Sequence, residues 1–149
     1  MKKFEVEINL PGQGITSFES EDIEQIQDKF FSINWRRLYL SPVQHGNAEI
    51  SFALLDVDTQ QYLDIQLNTQ SNQTEPVFQI ESNIQVTVEN KEFLGLVTRK
   101  KNYDLVYKNL NHTKATEQLI QFLNGQIGDM TEQYKQLLHK KKLQEQRLT

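Results

Sequence analysis

Strict alternation of apolar and polar residues along short segments constrains the fold of this chain more than any other feature. Residues 4–10, 48–54 and 63–67 each place apolar side chains at every second position. This period is typical of strands that bury one face and expose the other. The last two segments flank a polar turn at residues 56–60, as in a hairpin. Because short turns join antiparallel neighbours, the sequence predicts a largely antiparallel sheet.

Further strands are predicted on either side of this hairpin. Residues 35–40, which begin with the only tryptophan, are predicted as a strand. Residues 78–88 favour two strands broken near Ser82. A second hairpin is predicted over residues 93–107, with the basic tract Arg99-Lys100-Lys101-Asn102 at its tip.

Helical spacing of apolar residues marks three other segments. A helix is predicted over residues 20–33, capped by its first residue and carrying acids in its first turn. A second helix is predicted to begin at Thr113 or Thr116. Residues 126–149 are predicted to form a C-terminal helix that begins at a capping box led by Asp129, loses its pattern past Leu138 and frays at its last residues.

These elements predict a single α+β domain over residues 1–149. Its sheet is expected to be mostly antiparallel, with six or more strands, helices packed on one face and a C-terminal helix. Thirteen apolar residues are expected in the core: Phe4, Val6, Ile8, Ile26, Phe30, Ile50, Phe52, Ile65, Leu67, Ile84, Val86, Leu119 and Phe122.

The 53 residues from Leu38 to Asn90 contain no lysine or arginine, although basic residues elsewhere in the chain are common. This strand-rich segment carries seven acids, namely Glu49, Asp56, Asp58, Asp64, Glu75, Glu81 and Glu89. Residues 91–149, in contrast, carry eleven basic and six acidic residues. Because a surface of one sign attracts partners of the other sign, the sequence predicts an acidic sheet surface that binds a cationic partner.

Several chemistries lack their required residues. The start of a calcium loop at Asp56 fails because Gln61 and Leu67 occupy the places of its glycine and glutamate. None of the three histidines has a second ligand at metal spacing on the same predicted element, and there is no cysteine. The sequence therefore predicts no enzyme, no cofactor and no metal site.

The remaining expectations concern the location of the protein and two classes of partner, membranes and nucleic acids. No apolar run approaches the length of about 18 residues that spans a bilayer, so a cytoplasmic protein without a membrane partner is expected. The basic tracts at residues 99–101 and 140–142 are interpreted as solvated charge, because the net charge is −4 and aromatic residues do not interleave with them. No nucleic-acid partner is therefore expected.

The order of elements resembles that of the immunity proteins of bacterial contact-dependent growth inhibition and related polymorphic toxin systems. The resemblance rests on an early strand and helix, a strand written Trp35-Arg36-Arg37-Leu38-Tyr39-Leu40, several amphipathic strands, and a late helix over residues 116–125. It implies a non-enzymatic protein that binds and neutralises one cognate toxin. Many such toxins are nucleases with basic clefts, which an acidic surface would suit.

Two functional hypotheses follow. In the first, an immunity protein binds its toxin through an open face that carries Glu49, Tyr62, Asp64, Glu81 and Glu89, with Asp56 and Asp58 at its edge. In the second, the chain is an adaptor or assembly subunit that binds a partner groove through its C-terminal helix. That helix would use its apolar stripe of Met130, Tyr134, Leu137 and Leu138, which alternatively docks on the chain's own sheet.

Overall fold

The computed structural model describes residues 2–41, 49–92 and 94–147 and has the predicted α+β architecture. Its larger sheet is antiparallel, with the strand order β2-β1-β3-β4-β5-β8. These six strands are β1 (Phe4–Leu10), β2 (Gly14–Ser20), β3 (Ser51–Asp56), β4 (Tyr62–Leu67), β5 (Phe78–Ser82) and β8 (Tyr107–Leu110). A separate antiparallel hairpin contains β6 (Gln85–Glu92) and β7 (Val97–Asp104).

The helices lie on one face of the larger sheet. They are α1 (Ile23–Ser32), α2 (Trp35–Leu40), α3 (His112–Leu123) and α4 (Ile127–Arg147). α3 contacts β4, β5 and β8 as well as α1, while α4 packs against α3 and β6. The opposite face of the sheet is left open in the part of the chain that the structure describes.

The predicted core is confirmed, because all thirteen of its residues are buried. Phe30 lies at its centre, where its ring contacts those of Trp35 and Phe52 with centroid distances of 5.2 Å in both pairs. Phe4 of β1 meets Phe122 of α3 at 6.1 Å. The period-two pattern of the strands and the helical spacing of α1 and α3 therefore converge on one hydrophobic core.

The prediction of a strand at Trp35–Leu40 is wrong, because these residues form α2. The side chain of Asn34 accepts a hydrogen bond from the backbone N–H of Arg37 at 3.1 Å and caps the helix. Trp35 and Tyr39 lie four residues apart and both are buried, which is the spacing of one helix face. The indole N–H of Trp35 also donates to the carbonyl oxygen of Phe30 at 3.2 Å.

The strand β2 is absent from the sequence prediction and displaces the predicted start of α1. β2 returns from β1 through a turn in which Gly12 and Gly14 have φ values of 77° and 69°. Ser20 ends β2, and the N-cap of α1 is Asp22, whose side chain accepts from the backbone N–H of Gln25 at 3.2 Å. The predicted cap at Ser20 is therefore wrong.

The second hairpin was predicted in the wrong place, because its arms are β6 and β7 and not residues 93–98 and 103–107. β6 pairs with β7 from Gln85↔Asp104 to Glu92↔Val97, and residues 94–96 lie in the turn between them. The basic tract at residues 99–101 consequently lies within β7 and not at the tip. Phe93, the turn predicted at residues 45–47 and Ala48 lie outside the described residues.

Both C-terminal helices begin earlier than predicted. Asn111, whose side chain accepts from the backbone N–H of Lys114 at 2.8 Å, caps α3 in place of Thr113 or Thr116. α4 begins at Ile127, so Asp129 lies within its first turn and does not open a capping box. The helix continues through residues 140–142, and its side chains are exposed from His139 to Gln144, where the predicted apolar pattern is lost.

Candidate partner-binding face

The open face of the larger sheet carries a row of acidic side chains that runs across four strands. Cross-strand partners follow one another as Glu7↔Ala53, Ala53↔Asp64 and Asp64↔Glu81. In an antiparallel pair, directly opposite residues project to the same face, and neighbouring strands lie about 4.8 Å apart. Glu7, Asp64 and Glu81 are thus aligned, with the small Ala53 side chain between the first two.

Glu49, which immediately precedes Ile50 and β3, joins this row electrostatically. The pKa of its carboxyl is raised by partial burial and by the charges of Asp64, Glu81 and Glu7, in that order. Glu7, Glu49, Asp64 and Glu81 are called the acidic cluster below. None of the four forms an ion pair with a described residue.

Asp64 is the most strongly constrained member of the acidic cluster. Burial raises its pKa first, the charges of Glu81 and Glu7 raise it further, and a hydrogen bond from Gln66 opposes them. In that bond Nε2 of Gln66 donates to Oδ2 of Asp64 at 2.9 Å. Oδ1 is buried and has no hydrogen-bond partner among the described residues. A buried acceptor without a donor is unfavourable unless a partner supplies one.

A groove of about 530 Å³ lies beside this row on the open face. A second cross-strand row forms its other side, since Glu19 pairs with Glu5, Glu5 with Leu55, and Leu55 with Tyr62. Tyr62 is 41% exposed there. The groove therefore has an apolar floor with carboxylates along its length, which suits a side chain with an apolar stem and a cationic end.

One cation lies at the rim of this face. Nζ of Lys3 is 2.7 Å from Glu19, and the hydrogen bond and charge of Glu19 raise the pKa of Lys3. Both side chains are about half exposed. This pair neutralises the β2 end of the groove and leaves Glu5, Glu7 and Asp64 as its other carboxylates.

Glu5 and Glu7 were missed as site residues by the sequence reasoning. Both lie outside the segment without lysine or arginine, and β1 brings them into the face because it inserts between β2 and β3. Their alternation with Phe4, Val6 and Ile8 was the available signal, since it places them on the solvent side of a strand.

Two predicted site residues do not lie on the open face. Asp56 points to the core side and is buried. Its Oδ1 accepts a hydrogen bond from the backbone N–H of Asp58 at 3.0 Å, and its Oδ2 forms an ion pair with Nζ of Lys2 at 3.4 Å. Glu89 belongs to the β6–β7 hairpin, where Lys100 lies 3.7 Å away. The predictions that Asp56 edges the face and that Glu89 shares it are therefore wrong. Asp58 is exposed in the β3–β4 turn, at the end of the sheet.

The apolar stripe of α4 contacts the rest of the protein. Met130 is fully buried, and Tyr134 packs on Tyr107 of β8 with ring centroids 5.4 Å apart. Leu137 and Leu138 are partly buried against the core. These four side chains are therefore used in folding, and a partner groove would have to displace the helix to reach them.

Comparison of the chain with family models, with curated proteins and with solved structures finds no match. Within residues 2–41, 49–92 and 94–147, no group of three or more acidic or histidine side chains is placed to hold a metal ion. No helix among these residues is long and apolar enough to cross a membrane. The open face is thus characterised by its own geometry: four clustered carboxylates beside an apolar groove.

Proposed function

We propose that this chain is a non-enzymatic immunity protein that binds and neutralises a cognate bacterial toxin in the cytoplasm. The supporting observation is the acidic cluster on the open face, whose four carboxylates have no ion-pair partner among the described residues. A toxin that acts on nucleic acid holds phosphates in a basic cleft. Carboxylates spaced along a sheet face occupy such a cleft as phosphate mimics and block it.

The electrostatics of Asp64 favour a partner that supplies a hydrogen-bond donor. Its pKa is raised, so the free protein holds a carboxylate in surroundings that disfavour its charge. An arginine of the partner would offset the repulsion from Glu81 and Glu7, and it would donate to the buried Oδ1 once the side chains that cover this atom move aside. Its aliphatic stem would lie over Leu55 and Tyr62 in the groove, as such stems commonly do on apolar surfaces.

The experiment begins with the genes that flank this one, because an inhibitor must be present whenever its toxin is. The C-terminal domain of a large secreted protein encoded directly upstream is the partner to test. We expect a one-to-one complex that suppresses the toxin's activity. Its association should slow steeply as salt rises over about 50–500 mM, a range in which the Debye length shortens several-fold.

The decisive variant is Asp64→Asn with Glu81→Gln, which removes two charges and keeps the shape of both side chains. We expect association about tenfold slower or more and a weaker salt dependence. The matched control is Glu24→Gln with Asp28→Asn, the same charge change on α1 at the other side of the sheet. Equal association rates for the two double variants, or a tight complex without salt dependence, would remove the acidic cluster from the interface.

A further inference from the structure

The turn between β6 and β7 exposes leucines that the fold does not use. Leu94 is fully exposed and Leu96 is 85% exposed. Leu94 also has a φ of 56°, a left-handed conformation that is unfavourable for a leucine and is ordinarily taken by glycine, asparagine or aspartate in such turns. Strained, exposed apolar residues need a reason outside the fold, and a site of contact is the usual one.

Basic side chains surround the strands just below this tip. In the β6–β7 pairing, Lys101 lies opposite Val88 and projects with it toward α4, whereas Lys100 lies opposite Glu89 and projects to the other side. Lys101 lies over the ring of Tyr103 at 5.1 Å. Lys91 shares the side of Lys100. The cations thus lie on both faces of the hairpin and form a collar around it.

The C-terminal half of α4 adds to the same end of the molecule. Lys141, Lys142 and Leu143 line a groove together with Lys91 of the outer part of β6. Residues 91–101 carry four basic residues and one acid, and residues 133–144 carry four basic residues and no acid. These two segments contribute a net charge of +7 in a chain whose total is −4, and Glu89, which lines the same groove and lies 3.7 Å from Lys100, offsets one of these charges. Leu143 is itself 43% exposed.

We propose that this end of the protein, the tip of the β6–β7 hairpin with its collar and the basic half of α4, binds the surface of an anionic phospholipid bilayer. The leucines enter the acyl boundary while the lysines lie at the level of the headgroups, as in other peripheral membrane contacts. Cations on both faces of the hairpin suit end-on entry into a flat anionic surface. A nucleic-acid backbone would gain little from the exposed leucines, whereas acyl chains would bury them.

The proposal is independent of the toxin-binding face, which lies on the larger sheet. It requires no spanning helix, since the contact is peripheral.

The chain has no cysteine, so Leu96→Cys provides a single site for an environment-sensitive dye. We expect a blue shift of its emission with phosphatidylcholine vesicles that contain phosphatidylserine, and none with phosphatidylcholine alone. The same dye at Ile15→Cys, an exposed apolar position on β2, should not respond to either.

Vesicle flotation of the unlabelled full-length chain gives the second measurement. Leu94→Asn with Leu96→Ser should weaken binding to anionic vesicles by about tenfold or more, and Ile15→Ser should leave it unchanged. Leu94→Asn suits the left-handed turn, and an unchanged or raised midpoint of thermal unfolding shows that this variant folds. No flotation of the parent chain, equal flotation of both variants, or binding to an oligonucleotide in place of vesicles would overturn the proposal.

Discussion

Replacing Asp64 with asparagine should make the free protein more stable at neutral pH, although it removes a polar contact of the candidate site. The folded state raises the pKa of Asp64 above its ordinary value of 3.8, so the charged form is the disfavoured one. The resulting destabilisation is absent well below that ordinary value, grows as pH rises from it through the raised pKa, and is complete above the raised pKa. Asparagine never carries the charge and still accepts the hydrogen bond of Gln66.

The magnitude follows from the partial burial of Asp64, which is the largest cause of its raised pKa, and from its position in the row. A like charge directly opposite on the next strand, here Glu81, is worth about 0.2–1 kcal/mol. Glu7 is two strands away, about 10 Å, which is close to one Debye length and adds little. Because Asp64 is only partly buried, we expect a gain of about 0.5–1 kcal/mol, or an increase of about 1–4 °C in Tm for a domain of this size.

The assay is urea unfolding of parent and variant at pH 7 and at a pH well below 3.8, where both carry a neutral residue at position 64 in the folded and the unfolded state. We expect the difference in unfolding free energy at pH 7 to disappear at the lower pH. Asp58→Asn in the exposed β3–β4 turn is the matched control and should change stability by less than about 0.5 kcal/mol. A variant less stable than the parent at pH 7, or a gain independent of pH, would refute the electrostatic reasoning.

Three further changes have expected outcomes in the same unfolding assay or in size-exclusion chromatography. Asp56→Asn should lower the free energy of unfolding by about 1–3 kcal/mol, because a buried carboxylate loses its charge beside Lys2; an unchanged value would contradict its structural role. Phe30→Ala should lower it by about 3–5 kcal/mol, and a loss below 1 kcal/mol would exclude the described packing. Deleting residues 126–149 should cause aggregation, since it uncovers the core under Met130 and Tyr134, whereas a monodisperse, folded remnant would favour the adaptor hypothesis.

The sequence predicted the central strands and the core because a single physical signal determines both. In β1, β3 and β4 the apolar residues recur at every second position, and burial of one face requires that period. The same signal is ambiguous in short segments. Trp35, Leu38 and Tyr39 have the i, i+3, i+4 spacing of a helix face, although tryptophan and tyrosine are also common in strands, and the cap at Asn34 decides for the helix. β2 was missed because its exposed residues alternate only weakly.

The second hairpin was predicted in the wrong place because the basic residues 99–101 were interpreted as its turn. The tract at residues 99–101 is polar enough for a loop, yet cross-strand pairing with Glu89 holds Lys100 within β7. The actual turn contains Leu94 and Gly95, and only the glycine is an ordinary turn residue there. Turn propensities could not have placed Leu94 here, because leucine rarely adopts the left-handed conformation that this position requires.

The absence of basic residues over 38–90 does not by itself make the segment a binding surface, because cations reach it from elsewhere in the chain. Lys2 lies at Asp56, Arg36 lies 4.0 Å from Glu75, and Lys100 lies at Glu89.

The acidic cluster, which none of these cations reaches, is produced by the sheet topology. β3 separates β1 from β4 and places Ala53 between Glu7 and Asp64. At position 64 an uncharged polar residue would give a more stable fold. The raised pKa and the unpaired buried oxygen of Asp64 reduce the stability of the free chain, and they support the proposal of a cationic partner.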